Sequence, residues 1–214
     1  MKIRTRAERL HPGAGAVTAM RPAQNTAEGI QLAGPEAATE KGGYTMKKAI
    51  VIYRSKTGFS QQYAQWLAEE LHCKVLPFRE RKKENLEEYD VIILTGGLYA
   101  GQMAGLNWLK KQLPSLRGKR IAAVAVGCAP TGFPGQPESM NTLFGGTPEI
   151  QGFYCQGGLD YEHMGAADRA MMAALRAVLK RQEGKQEMLE GISRSFDGTS
   201  REYLVPVIRW AAQA

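Results

Sequence analysis

Two kinds of apolar pattern alternate along the chain. Short unbroken runs at 50–53 (IVIY), 91–95 (VIILT) and 120–126 (RIAAVAV) read as strands buried on both faces. Runs at 73–78 and 150–156 bring the set to five. Between the strands, apolar residues recur every three or four positions, the spacing of a helix with one buried stripe. Ala64, Leu67, Ala68 and Leu71 mark such a helix over 60–71, with Ser60 placed to cap it. Leu106, Leu109 and Leu113 mark one over 104–113, stopped near Pro114, and a short helix is expected at 138–143. Met164, Ala167, Met171, Leu175 and Val178 line one side of a long helix over 164–182, and this stripe reads as core rather than as a ligand surface. Leu204, Val207, Ile208 and Ala211 share one side of 200–212, where Ser200 is a candidate cap and Pro206 a break or kink. The charged stretch 79–88 reads as a solvated connector.

Strands alternating with amphipathic helices predict an α/β fold, a doubly wound five-stranded parallel sheet covered on both faces. Residues 46–185 fit one such domain, and 186–214 form a C-terminal helical extension docked on it. Residues 1–45 differ in composition, with much Pro, Gly, Ala, Gln and Thr and no sustained period. They are expected to be disordered, or a mis-called extension before a natural start at Met46. The codons for Lys41-Gly42-Gly43 can form a purine-rich ribosome-binding sequence just upstream of Met46.

Chemistry concentrates where strands end. The first strand empties into Ser55-Lys56-Thr57-Gly58-Phe59-Ser60 and then a helix. Unpaired amides at a helix N-terminus, with hydroxyls at 55, 57 and 60, suit a phosphate. Plain helix capping is the competing account of these six residues. The turn lacks the closing Gly-Lys-Ser/Thr of a Walker loop and is not Gly-x-Gly-x-x-Gly. The third strand runs into Gly96-Gly97-Leu98-Tyr99-Ala100-Gly101, which reads as a glycine-rich ligand loop. The fourth runs into Gly127-Cys128-Ala129, continued by a Pro/Gly-rich loop to Gly135. Three ligand-type loops on one sheet edge favour a bound cofactor over capping alone.

The three cysteines, Cys73, Cys128 and Cys155, lack metal-ligand spacing and suit reduced thiols in a cytoplasmic protein. No metal site is expected. The net charge of +7 is spread over helix faces and loops, so no nucleic-acid partner is expected. No apolar run reaches the ~20 residues of a membrane span. The acid and base of Asp160-Tyr161-Glu162-His163 read as a loop and cap for the helix that follows.

The hydroxyl turn resembles the Ser/Thr-x-Thr-Gly-x-Ser/Thr loop with which flavodoxins hold the FMN phosphate. The chain is identified over about 47–184 as similar to flavodoxin-domain proteins. The resemblance implies strand order 2-1-3-4-5 with the ligand between strands 1 and 3. It implies FMN held by Ser55, Lys56, Thr57, Gly58, Phe59 and Ser60, with Gly96, Gly97, Leu98 and Tyr99 on one side of the ring. Gly127, Cys128 and Ala129 would then lie at its pyrimidine side. Tyr99 is a candidate for ring stacking, against a plain surface aromatic; Phe133 is the candidate second stacker. For Cys128, a flavin contact or redox role stands against a small buried residue, which is favoured. The stretches at 89–113, 118–130 and 153–161 look closest to relatives of the menaquinone-dependent protoporphyrinogen oxidases, without an evident membrane-facing insertion. The implied function is an FMN redox protein serving an unidentified partner protein or small-molecule acceptor. The alternatives are an oxidoreductase acting on a quinone- or protoporphyrinogen-like substrate, and a flavodoxin fold that has lost FMN.

Overall fold

A computed structural model describes residues 48–213. The expectations for residues 1–45, and for a start at Met46, lie outside the described residues. Five parallel strands form the frame: β1 (Ala49–Arg54), β2 (Lys74–Pro77), β3 (Val91–Tyr99), β5 (Arg120–Gly127) and β6 (Ile150–Gln156). They lie in the order β2-β1-β3-β5-β6. Counting only these five, this is the 2-1-3-4-5 order expected from the sequence. The two-residue β4 (Gln102–Met103) pairs antiparallel with the end of β3.

Side chains alternate between the two faces of the sheet. Ile50, Ile52, Ile92, Leu94, Ile121 and Ala123 face α2 (Leu106–Gln112) and α3 (Gln136–Phe144), which supply Leu106, Leu109, Leu143 and Phe144. Val51, Ile93, Ala122, Val124 and Cys155 face α1 (Phe59–Glu70), which supplies Tyr63, Ala64 and Leu67. With a helix layer over each face, no sheet surface is left to alternate with polar residues, which is why the strands read as continuous apolar runs.

The stripe on the long helix, read as core from the sequence, is largely uncovered. The long helix, α4 (Ala166–Leu179), leaves Met171, Leu175 and Val178 at 39%, 42% and 51% exposure. Its buried residues are Met172 and Leu179, packed with Leu159, Leu189 and Ile192 in a small separate core. The helix that covers the sheet is α6 (Val205–Ala212), where Val207 is fully buried and Ala211 nearly so, beside Leu204 of the preceding turn. Ser200 does cap that turn, its Oγ accepting from the Glu202 amide at 3.3 Å. Pro206 neither breaks nor kinks the helix. It sits in the first turn, where no intrahelical bond needs its missing N–H.

Residues 157–200 thus stand between the last frame strand and the last frame helix. They contain β7 (Gly158–Leu159), α4, α5 (Gln186–Gly191) and β8 (Phe196–Asp197). β7 and β8 pair antiparallel, Gly158 with Asp197 and Leu159 with Phe196, so the excursion leaves and returns at one neck. Helical periodicity alone does not tell such an excursion from a frame helix.

Candidate functional site

The turn after β1 is held by its own side chains. Ser55 Oγ accepts from the Gly58 amide at 3.0 Å. Gly58 has a φ of +96°, a conformation that side-chain-bearing residues avoid, so the turn requires glycine there. The helix starts at Phe59, with Gly58 and not Ser60 as its cap. Its first backbone bond runs from Gln62 N to Gly58 O at 2.9 Å. The amides of Phe59, Ser60 and Gln61 precede any intrahelical partner, as at every helix start. Ser60 is buried, at 2% exposure, and its carbonyl accepts from Thr95 Oγ1 at 2.8 Å.

Thr95, fully buried at the middle of β3, is a residue the sequence reading passed over. Its bond ties the phosphate-type turn to the neighbouring strand. Thr95→Val keeps the shape and removes the donor, leaving the Ser60 carbonyl only its bond within α1. It is expected to lower the unfolding free energy by about 1 kcal/mol. Urea titration should show a lower midpoint with an unchanged slope.

The glycine stretch after β3 is not a loose loop. The strand continues through Tyr99 and turns back at once, pairing Tyr99 with Gln102 and Leu98 with Met103. The two turn residues, Ala100 and Gly101, have φ of +46° and +76°, as the type I′ hairpin turn requires. Gly96 and Gly97 are therefore strand residues, both buried. The Tyr99 ring folds back over Gly97 and carries the Lys56 ammonium 4.4 Å from its centre. Burial pushes the Tyr99 hydroxyl up from its ordinary pKa, against the pull of Lys56.

The loop after β5 is anchored from β6. Tyr154 donates its hydroxyl to Ala129 O at 2.7 Å. Phe133, the candidate second stacker, instead meets the Tyr154 ring edge-on at 5.6 Å. Burial pushes the Cys128 thiol up, so it is predominantly neutral at pH 7. Its neighbours include the small core of the excursion.

These segments enclose one cavity of about 320 Å³ at the carboxyl ends of β1, β3 and β5. Of the residues singled out from sequence, it brings together Ser55, Thr57, Phe59, Ser60, Gly97, Leu98, Tyr99, Gly127 and Cys128. Lys56, Gly58, Gly96 and Ala129 support the wall without lining it. The excursion adds Asp160, Met164, Asp168, Met171, Met172 and Leu175, which were not anticipated. Asp160 closes its own turn, accepting from the amides of Glu162 and His163 at 3.1 Å each, and does not cap the helix that follows, whose cap is Gly165. Asp160 also meets His163 Nδ1 at 2.7 Å, and these bonds hold its carboxyl below the usual range.

A cavity at the switch point of a doubly wound sheet, lined by a helix N-terminus and two strand-end turns, defines an α/β cofactor-binding domain. The chain belongs to the flavodoxin domain family, whose family model matches residues 50–186. No curated protein matches the chain. Solved structures with some likeness include a flavodoxin, WrbA-like protein from Agrobacterium tumefaciens. It is 15% identical, with 78% of this chain and 98% of that one covered, at a TM-score of 0.42. A flavoprotein in complex with FMN from Lactobacillus acidophilus NCFM is 13% identical over 51% of this chain and 92% of its own, at 0.36. The Trp repressor binding protein from Bacillus subtilis is 19% identical over 64% and 100%, at 0.39. The family assignment stands on the family match, and nothing in the comparisons bears on the protoporphyrinogen oxidases. Among the described residues no cluster suits a metal ion, and no helix is long and apolar enough to cross a membrane.

Proposed function

We propose that the chain is an FMN-binding redox protein that passes electrons to a partner protein or a small-molecule acceptor. The observation that carries this is the convergence of the 55–60 turn, the 97–100 hairpin and the 126–128 loop on one cavity. The residues present fit the cofactor. An anionic phosphate suits the open amides before Gln62 and the hydroxyls of Ser55 and Thr57. The rest of the wall is predominantly aliphatic, sulfur-bearing or backbone, which suits a flat heteroaromatic ring. About 320 Å³ lies within the usual range of about 300–1,000 Å³ for a ligand pocket.

Bound there, the flavin supplies one- and two-electron redox chemistry. The protein's part is positional. The 55–60 turn anchors the phosphate end, and the hairpin fixes backbone groups beside the ring. Tyr154 steadies the third loop through Ala129, and the apolar walls exclude water. No side chain is required to act as acid or base. The free Cys73, Cys128 and Cys155 suit a reducing compartment, and we place the protein in the cytoplasm.

Titration of the purified protein with FMN and with riboflavin tests this reading. FMN is expected to bind much more tightly than riboflavin. Thr57→Ala should weaken FMN about tenfold, near the ~1.5 kcal/mol of a hydrogen bond to a charged group, and leave riboflavin nearly unchanged. Failure to bind either flavin would leave a family member that has lost its cofactor.

A further inference from the structure

The cavity has a wall that does not come from the sheet. Met164, Met171, Met172 and Leu175 of the excursion line it, together with Asp168 from the first turn of α4. Met171 and Leu175 remain 39% and 42% exposed although both border the cavity. Neighbouring large apolar side chains left uncovered at the edge of a cavity mark a surface that a ligand covers. Methionine is suited to that task, since its flexible thioether adapts to a flat ring and makes favourable sulfur–aromatic contacts. The aromatic candidates are committed elsewhere: Tyr99 carries Lys56 against its ring, and Phe133 packs on Tyr154.

The same helix is tied to the phosphate-type turn by one ion pair. Lys56 Nζ lies 2.8 Å from both carboxylate oxygens of Asp168. The Asp168 side chain is 16% exposed and that of Lys56 is 55% exposed. Asp168 also sits where the helix dipole favours a negative charge. At its other end α4 rests on the small core around Leu159, Leu189 and Ile192, outside the sheet frame.

We propose that α4 is the outer wall against the flavin ring, through Met171 and Leu175, and that the Lys56–Asp168 pair is the strap that holds this wall against the 55–60 turn. The proposal rests on the flavin reading above. It makes ring affinity depend on two charged residues that act through the position of α4. Asp168 and Lys56 are positioning residues; Met171 and Leu175 contact the ring.

Riboflavin is the probe, because it lacks the phosphate and does not read the charge of the turn directly. Its affinity is measured at low ionic strength for wild type, Asp168→Asn, Lys56→Met and the double variant Lys56→Met/Asp168→Asn. Amide hydrogen exchange of residues 166–175 is followed without flavin in the same four proteins. Each single variant is expected to weaken riboflavin about three- to fivefold, the upper range for a half-exposed pair, and to speed exchange in α4. The double variant should lose little more than the more affected single variant, because both changes remove the same bond. Met171→Gln and Leu175→Gln should each weaken riboflavin about fivefold through lost apolar burial, while the melting temperature stays put because both residues are exposed. Single variants with unchanged affinity and exchange, or losses that add in full in the double variant, would overturn the strap. Unchanged riboflavin affinity in both glutamine variants would overturn the wall. If wild type binds neither FMN nor riboflavin, the flavin reading falls and the wall with it, and exchange in α4 still decides the strap.

Discussion

Gly96→Ala is expected to cost about 3 kcal/mol of stability and to abolish flavin retention. Gly96 lies in the middle of the sheet, paired with Arg54 of β1 and Ala125 of β5. A Cβ built there comes within 2.3 Å of the Ala104 carbonyl oxygen and 3.1 Å of the Met103 methyl. The first contact is backbone, so no rotamer change relieves it. Either β3 moves, breaking register with both neighbours, or the β3–β4 hairpin lifts. Overpacking in a tight interior costs about 1–3 kcal/mol, and the central position puts this case at the upper end. Gly97→Ala is the control. Its Cβ meets the edge of the Tyr99 ring at 2.7 Å, and a side chain can rotate. That variant should keep a near wild-type urea midpoint and still lose flavin affinity, because the displaced ring borders the cavity. Equal stability in the two variants would show that the hairpin is not packed as described.

Ending the chain at Lys185, the domain edge suggested by sequence, is expected to give insoluble or unfolded protein. Such a chain lacks Leu204, Val207 and Ala211, which cover Val51, Ile93 and Val124 on the α1 face. Burying one such aliphatic side chain contributes about 1.5–3 kcal/mol. Losing Leu204 and Val207, and uncovering the strand residues beneath them, removes more than about 5 kcal/mol, comparable with the whole stability of a domain of this kind. The complementary deletion should behave oppositely. Replacing 161–194 by a short Gly/Ser turn between Leu159 and Phe196 retains both helix layers, and far-ultraviolet circular dichroism should show a folded protein with a cooperative melt. A soluble, cooperatively folding 1–185 chain would contradict the role given to α6.

The contrast shows what was legible in the sequence and what was not. The frame strands were legible because a strand buried on both faces has no polar side to hide. The phosphate-type turn was legible because hydroxyls, a glycine and a helix start occur within six residues. The choice between the two late helices was not. Both carry an apolar stripe of helical period, and periodicity shows that a face exists, not what covers it. In α4 the buried positions, Met172 and Leu179, are offset by one residue from Met171 and Val178. One residue is about 100° around a helix, enough to exchange a core face for a cavity wall. The hairpin after β3 was hidden for another reason. Ala100 at positive φ carries no local signal, and three glycines in six residues read more naturally as a loop than as a strand. Within the site, the contribution of Asp168 depended on a partner distant in sequence, which no local spacing reports.

The pairing of Gly158 with Asp197 has a consequence for how this chain can vary. Loop-closure entropy grows only with the logarithm of length, about 0.6 kcal/mol per doubling, and here the closure is made at the neck itself. The sheet therefore registers two adjoining strand ends and is nearly indifferent to the length between them. Insertions between Asp160 and Ser195 are expected to be tolerated at almost constant melting temperature. The same number of residues added within 96–103 would have to pass through the backbone contact beneath Gly96. The part of the molecule that borders the cavity from outside is thus free to change in length without loss of the fold, while the part that would grip the phosphate is not.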